Sequence, residues 1–555
     1  MLAAMSLPTL STQSPLFATI TSDHFAPDDR YRLFAQKISP LLLQTRPALE
    51  SAYCLDNGRP GCEPVLMAGL TVLQYLEGIP DREAAQMMNY HLGWNFALNQ
   101  TPGQARFHPT SLVHFRDRLQ EKNLQSVVFT KVLEGLVEAG LVERRGKQRL
   151  DSTQMMGQVS RMSRLECVRE TLRLALQELE AKASLLAKPS WWLTCWERYL
   201  GSKLDYRLEA AALKEKMDQA GADSLNLLQW VEKLSDSTLA QGQQVQLLRR
   251  VFGENFQCDQ PGVAVQRAAQ PPGAVHNPHD PEAQWAAKGQ GKNKKEHVGY
   301  KVQVAESVVT EPLAPGEPTR SFITAMVTQP AIASDEAGAR QVEKEQAAMG
   351  LDKPAEEYVD SAYISGQRLA EAKAENRQLI GPAQAAPRRE GRFSSEDFQI
   401  DIERRRAICP ADKPSTQCSR LEEKEGDKVN YRFEWSYHCK NCPLREKCVG
   451  QDQPHRTLLV GQYHTELQAR RQEQKTEEFK NQAKHRNAIE GTQSEMVRAH
   501  GLRRARYRGL EKTRLQNYFI GAACNAKRWI RRTIWEMRQA KRAAKLSPGI
   551  EPAGA

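Results

Sequence analysis

One region of this chain leaves few folds open to it. GYKVQVAES (299–307) and SFITAMVTQ (321–329) alternate apolar and polar residues with the period of two that marks strands. EAGARQVEKEQAAMG then reads as a helix, EEYVDSAY as a strand ending at Asp360, SGQRLAEAKAEN as a helix and RQLIGPAQAA as a further strand. Upstream, QRLDSTQMMG follows the turn Arg145-Gly146-Lys147 and reads as a strand whose C-terminal half carries Asp151. The order strand, strand, strand, helix, strand, helix, strand describes a mixed α/β (α+β) sheet and excludes an all-helical protein.

The flanks follow another period. Residues 25–147 read as helical, with Leu66, Leu70, Leu73 and Leu76, then Ala84, Ala85 and Met88. Gly78-Ile79-Pro80 breaks that run, with Asp81 as N-cap of the next helix. A third helix, HPTSLVHFRDRLQEKNL, is capped by Thr110 or Ser111 and presents Arg116, Arg118 and Lys122. The unit fits a helix-turn-helix DNA-binding domain or an ordinary αα-hairpin in a bundle.

The core at 148–385 is interrupted by a helical insertion, 160–260, with Leu165, Leu172, Leu176, Leu179 and Leu186 at helical spacing. Trp191, Trp192, Trp196 and Tyr199 read as its local core. QPPGAVHNPHDPEAQWAAKGQGKNKKEH reads as a loop. Residues 386–460 form a Cys-rich insertion. Residues 461–545 comprise a long helical stretch, Glu466 to Ala499, followed by basic helices. Residues 1–24 read as a leader strand or arm, and 546–555 as a disordered tail.

With 555 residues the chain has room for roughly three or four domains. No apolar run approaches the roughly 18 residues needed to span a bilayer, and the N-terminal stretch lacks a basic n-region. A cytoplasmic protein with its eleven cysteines reduced is the expectation. Net charge is +11, concentrated after Lys480 in GLRRARYRGLEKTR, KRWIRR and RQAKRAAK. Arg498, Arg503, Arg504, Arg506, Arg508, Lys512 and Arg514, interleaved with Tyr507, Tyr518 and Trp529, suit phosphate contact and base stacking. A solvated basic helix face is the plainer reading of any one run.

Asp151 on the first strand, Asp360 at a later strand end and Glu490 on a helix after the sheet are candidate metal ligands. Functional groups of α/β sheets gather beyond the strand ends. Cutting a phosphodiester in line needs an activated water or 3′-hydroxyl and charge stabilisation on the leaving oxygen, which two Mg²⁺ or Mn²⁺ ions supply. Such cations choose carboxylate oxygens. Spacing alone leaves each of the three equally readable as a cap or surface charge.

The chain resembles bacterial insertion-sequence DDE transposases with an RNase H-like catalytic core, particularly the group numbered eleven eighty-two. RLFAQKISPLL through FRDRL is similar to the family's N-terminal domain, RLDST to its first-aspartate motif and DPEAQWAAKG…GYKVQVAES to its second-strand region. YVDSAYISG is similar to the second-aspartate motif, and HRNAIEGTQSEMVRAHGLRRARYRGLEKTRLQNYFIGAACNAKRW to the glutamate motif. The resemblance implies that Asp151, Asp360 and Glu490 bind divalent metal and that Arg486, one turn before Glu490, contacts DNA phosphate. It implies metal-dependent cleavage and strand transfer at the element's terminal repeats, in a homo-oligomer because two ends are joined. A Tyr-Arg-Glu-Lys signature would place Tyr at 483 and Lys at 497; here stand Ala483 and Val497, with Arg498 beside the latter. A DNA-binding protein without catalysis and an RNase H-like nuclease are the competing readings.

Cys409, Cys439, Cys442 and Cys448, with Cys418 and His438 nearby, have the composition of a structural Zn²⁺ site. The competing readings are reduced structural cysteines or a redox pair. Zinc would fold an insertion too small for its own core, and Lys440, Arg445 and Lys447 are further candidate DNA contacts. Cys54, Cys62, Cys167, Cys195, Cys258 and Cys524 read as packing residues.

Overall fold

The computed structural model describes residues 24–546 apart from 55–58, 104–106, 183–185, 202–208, 235–236, 261, 289–293, 389–390 and 423–427, together with the two-residue strand Met5–Ser6. That strand pairs in parallel with Arg59–Pro60. The rest of the expected N-terminal arm, up to residue 23, and the tail from residue 547 lie outside the described residues.

The mixed sheet has six strands: β1 Lys147–Met156, β2 Gln284–Lys288, β3 Lys295–Ser307, β4 Ile323–Pro330, β5 Glu356–Tyr358 and β6 Gln378–Ile380. The spatial order is β6-β5-β1-β3. At 13 residues, β3 is long enough to pair β2 along its first part and β4 along the rest. β1 runs antiparallel to β3, whereas β5 is parallel to β1 and β6 to β5. The strands expected from period and composition are present. β2 is an addition within an expected loop: QWAAK is too short and Ala-rich to signal a strand, and its partner β3 supplies the pairing.

Helices Asp335–Ala348 and Gly366–Ala374 cover one sheet face, over Leu150, Ala305, Ala325 and Val327. The other face packs into the largest core. There Met155, Tyr300, Val302, Val304 and Met326 share one apolar cluster with the N-terminal helices and with the helix Leu510–Leu546. The N-terminal block is therefore continuous with the sheet. Helix Pro64–Glu77 is buried from Pro64 to Tyr75, which makes it an interior helix. It ends on Gly78 in the left-handed region, φ +72°. The next helix, Asp81–Tyr90, begins after Pro80 as N-cap. Asp81 caps nothing; its carboxylate accepts from Gln74 Nε2 at 2.7 Å and from Arg116. Thr110 and Ser111 likewise cap nothing, since Pro109 holds the N-cap position of Thr110–Glu121.

The helix Leu510–Leu546 also departs from expectation. Its first half is a hub, with Leu515, Phe519, Ile520, Ala522, Ala523 and Ala526 buried. A Cβ at Gly521 would meet Phe129 at 2.8 Å and Met326 at 3.0 Å, so glycine lets an N-terminal helix and the sheet both close onto this point of the helix.

The inserted helices Arg164–Lys182, Ala210–Glu232 and Gln243–Asn255 have their own core, which includes Trp192 and Tyr199, with Trp191 and Trp196 packed on it. Leu186 is exposed, outside that core. The Cys-rich insertion also has a core, formed by Phe433, Trp435, Leu458, Val460 and neighbours around a three-stranded antiparallel sheet. The expectation that it lacked one is corrected, because Trp435 and Phe433 supply enough apolar area. The stretch expected as one helix from Glu466 to Ala499 is broken into His464–Glu473, Glu477–Ala483, a 3₁₀ turn Lys484–Ala488 and Ile489–Ala499.

Candidate active site

Strand register brings the two aspartates together. Arg149 of β1 pairs with Tyr358 of β5 in parallel. Two residues further along each chain stand Asp151 and Asp360, on the same face of strands about 4.8 Å apart. Asp151 remains within the sheet, opposite Val304, and its Oδ1 accepts the Ser152 N–H at 2.8 Å. β5 has ended by Asp360, whose Oδ1 accepts the Ala362 N–H at 2.8 Å and caps a 3₁₀ turn, Ser361–Tyr363.

A buried ionic knot fixes the helix that carries the glutamate. Arg149, on the face of Asp151, donates from Nε to Glu306 Oε1 at 2.6 Å and from Nη1 to the His485 carbonyl at 3.1 Å. Glu306 of β3, fully buried, also accepts from Thr492 Oγ1 at 2.7 Å and Arg528 Nη1 at 2.9 Å. Arg528 reaches Thr492 and Glu495 as well. Strand, glutamate helix and C-terminal helix thus share one satisfied network, which restricts where Glu490 can stand.

Arg486 lies among the three carboxylates. Its Nη2 is 2.7 Å from Asp151 Oδ2 and 3.8 Å from Asp360 Oδ2, and its Nη1 is 3.9 Å from Glu490 Oε1. Its Nε is buried without a hydrogen-bond partner. Side-chain exposure rises from 10% at Asp151 to 38% at Asp360 and 71% at Glu490, so the cluster has a floor and an open mouth. Beneath it, burial and then the charges of Asp335 and Asp151 hold the Tyr363 phenol well above its ordinary range. Three hard oxygen donors against one guanidinium leave a net negative cluster, and this donor set fits a divalent cation.

The expected DNA-contacting residues divide into groups. Arg498, Arg503, Arg504 and Arg508 are exposed. Arg506 is half-buried, stacked 4.7 Å over the Tyr75 ring and donating to the Ile79 carbonyl at 3.0 Å. Lys512 pairs with Asp117, and Arg514 with Glu511, both at 2.9 Å. Arg116 and Arg118 are 5% and 6% exposed. Arg116 forks onto Asp81 and lies over Tyr507, and Arg118 lies over Tyr53. These two are packing residues, because the third helix turns its arginines inward. Tyr518 and Trp529 are likewise buried, which removes them as stacking platforms. Sequence reasoning missed an exposed stripe on the second helix, Arg82, Gln86 and Tyr90, whose four-residue spacing was its only signal.

Cys409, Cys439, Cys442 and Cys448 line one small cavity with His438, and the Arg456 N–H donates to Cys439 Sγ at 3.4 Å. Among the described residues, the group of three ligand atoms all within 4.8 Å is a different one: Glu495, His500 and Cys524. Glu495 is already paired with Arg528 and Lys527, both at 2.9 Å, so this group reads as part of the buried knot. Cys167, Cys195 and Cys524 are buried as expected of packing residues and Cys62 is half-buried, whereas Cys54 and Cys258 are exposed.

Residues 408–530 match the family described as Transposase DDE domain, and residues 20–118 match Transposase domain (DUF772). The first segment holds Arg486, Glu490 and the four cysteines; Asp151 and Asp360 lie outside both. No curated protein and no solved structure gives a match. No helix among the described residues is long and apolar enough to cross a membrane. Both matched families are transposases, DNA-processing enzymes whose substrate is DNA, and the DDE type uses divalent metal. Two separate transposase matches, on a chain with a mixed α/β sheet, support an insertion-sequence DDE transposase.

Proposed function

We propose that this protein cuts and joins DNA at the ends of a bacterial insertion sequence, with Asp151, Asp360 and Glu490 as the catalytic carboxylates. The observation that carries the reading is the convergence of these three residues on one cationic side chain, from two adjacent strands and a helix far along the chain. The strand order β6-β5-β1-β3-β4, with only β3 antiparallel to its neighbours, supports an RNase H-like core.

The triad would hold two Mg²⁺ or Mn²⁺ ions, whose chemistry is to activate a water or 3′-hydroxyl and to stabilise charge on the leaving oxygen. Asp151 offers a rigid oxygen from mid-strand. Asp360 keeps Oδ2 toward the cluster while Oδ1 caps its turn. Glu490, at the mouth, is the carboxylate that entering DNA meets first. Arg498, Arg503, Arg504 and Arg508, with the Arg82–Gln86–Tyr90 stripe, would hold the phosphodiester backbone. Arg506, Lys512 and Arg514 would add charge from their half-buried positions. Joining two ends calls for a homo-oligomer, and the protein would act in the cytoplasm on nucleoid DNA. Zinc at Cys409, Cys439, Cys442 and Cys448 would tie down the Cys-rich insertion, a reading supported by four thiols lining one cavity. Less than about half an equivalent of zinc per purified chain would remove that site.

The test is incubation with DNA bearing the element's terminal repeats and Mg²⁺ or Mn²⁺. Wild type cleaves and joins, and Asp360→Asn does neither. Equal cleavage by both would end the enzymatic reading; cleavage without joined product would leave a nuclease.

A further inference from the structure

We infer that Arg486 is an internal gate on metal loading: in the DNA-free protein its guanidinium occupies the space among the carboxylates, and DNA phosphate draws it out. The inference rests on the reading of the triad as the metal site.

The geometry is specific to this side chain. One guanidinium reaches Asp151, Asp360 and Glu490 at 2.7, 3.8 and 3.9 Å. A cation that near all three partly neutralises the charge a divalent ion would otherwise meet, and the two positive charges repel within the same few ångströms. A metal on these oxygens and the guanidinium in its present place therefore exclude one another.

Arg486 is also poorly settled where it is. Its Nε is buried and unpartnered, and only the Asp151 contact has hydrogen-bond length. The segment that carries it is a 3₁₀ turn, Lys484–Ala488, between two helices, which leaves its backbone less tied than a helix interior. Outward from the triad lies the mouth beside exposed Glu490. A phosphodiester there offers the planar fork two parallel acceptors, a better match than three carboxylates at unequal distances. Arg486 would then contact phosphate in the complex and carboxylates without DNA. Metal and DNA would load cooperatively, and the free protein would hold metal weakly and cut little off-target.

The test uses Mn²⁺ alone, with bound ion counted from the free-ion EPR signal of the full chain. Arg486→Gln binds Mn²⁺ about tenfold more tightly than wild type, within the range of about 5–150-fold usual for coupled sites. Arg486→Lys, shorter but still charged, gives an intermediate gain. A short DNA duplex, corrected for its own Mn²⁺ binding, raises wild-type affinity toward the Arg486→Gln level. In thermal melts Arg486→Gln gains a larger Mn²⁺-dependent stabilisation than wild type. Equal Mn²⁺ affinity in wild type and Arg486→Gln overturns the gate and leaves the metal site standing, provided Asp360→Asn abolishes binding. If adding Asp360→Asn to Arg486→Gln leaves the gained affinity unchanged, the ion sits elsewhere and the triad reading itself fails. Should Arg486→Gln not fold, the Arg486→Lys and duplex comparisons decide alone, and no gain in either overturns the gate.

Discussion

The guanidinium of Arg486 bonds the carboxylate of Asp151 at 2.7 Å across 335 residues of sequence. The contact joins the middle of β1 to the turn before the glutamate helix, at the floor of the acidic cluster. Glu490, at the mouth, is the least constrained member, with 71% of its side chain exposed. Glu490→Ala therefore separates function from stability. Its urea midpoint stays within about 0.5 kcal/mol of wild type. Metal-dependent cleavage falls about 10²-fold or more, since a lost metal-holding oxygen removes several kcal/mol of charge stabilisation and about 1.4 kcal/mol is tenfold. A variant that melts early, or one that still cuts, would contradict the assignment.

Glu306 makes a different prediction. It is fully buried and accepts from Arg149, Thr492 and Arg528. Glu306→Ala leaves Arg149 buried without its carboxylate and Arg528 with Glu495 alone, a loss of about 3 kcal/mol. Denaturant unfolding should show that loss, and cleavage should fall among the molecules that remain folded, because the knot also positions the Glu490 helix.

Exposed and buried arginines should behave oppositely toward DNA. Arg504→Ala and Arg508→Ala each weaken binding across sequences and lower the salt slope by about one, with no change in melting. Arg116→Ala removes the buried partner of Asp81 and the cation over Tyr507 and lowers stability by about 2 kcal/mol, while the salt slope of the folded fraction is unchanged. Fluorescence anisotropy at several salt concentrations, run beside thermal melts, separates the two classes.

The cysteines give a metal prediction. Cys439→Ser releases the proposed zinc and loosens the Cys-rich insertion, seen as new protease cleavage between residues 400 and 460. Cys258→Ser, at an exposed site on a separate hairpin, does neither. Identical zinc content in both variants would place the metal elsewhere.

The pH dependence follows from His464, buried at the start of its helix. Burial first, and then the charge of Arg471, push its imidazole down to about 4, against the opposing pull of Glu396. Its folded pKa lies below the unfolded value of about 6.5, so the unfolded chain takes up the proton first. The stability contribution is complete above about pH 6.5 and is lost as pH falls toward 4, on the order of 2 kcal/mol. His464→Gln flattens that limb. A residual slope remains, because burial depresses His276, His297 and His500 in the same direction. Urea midpoints at about pH 7.5 and about pH 4.5 measure both effects.

Much of this protein was legible without its structure. The strand and helix order around Asp151 and Asp360 followed from periods of two and 3.6, which record which face of each segment is buried. The four-residue spacing of Arg486 and Glu490 was enough to set them on one side, even though a 3₁₀ turn intervenes. β2 was not legible, because a short Ala-rich run becomes a strand only when β3 offers it an edge.

What the sequence determined by itself was therefore local: which segments form strands and helices, and which carboxylates those segments carry. The tertiary structure decided the rest. It turned Arg116, Arg118, Tyr518 and Trp529 inward, made a basic C-terminal helix the hub of the core, and set Arg486 among three acids. The reason is physical. Periodicity depends on neighbours a few residues away, whereas the burial and ion pairing of a charged side chain depend on which distant segments the fold brings within a few ångströms of it.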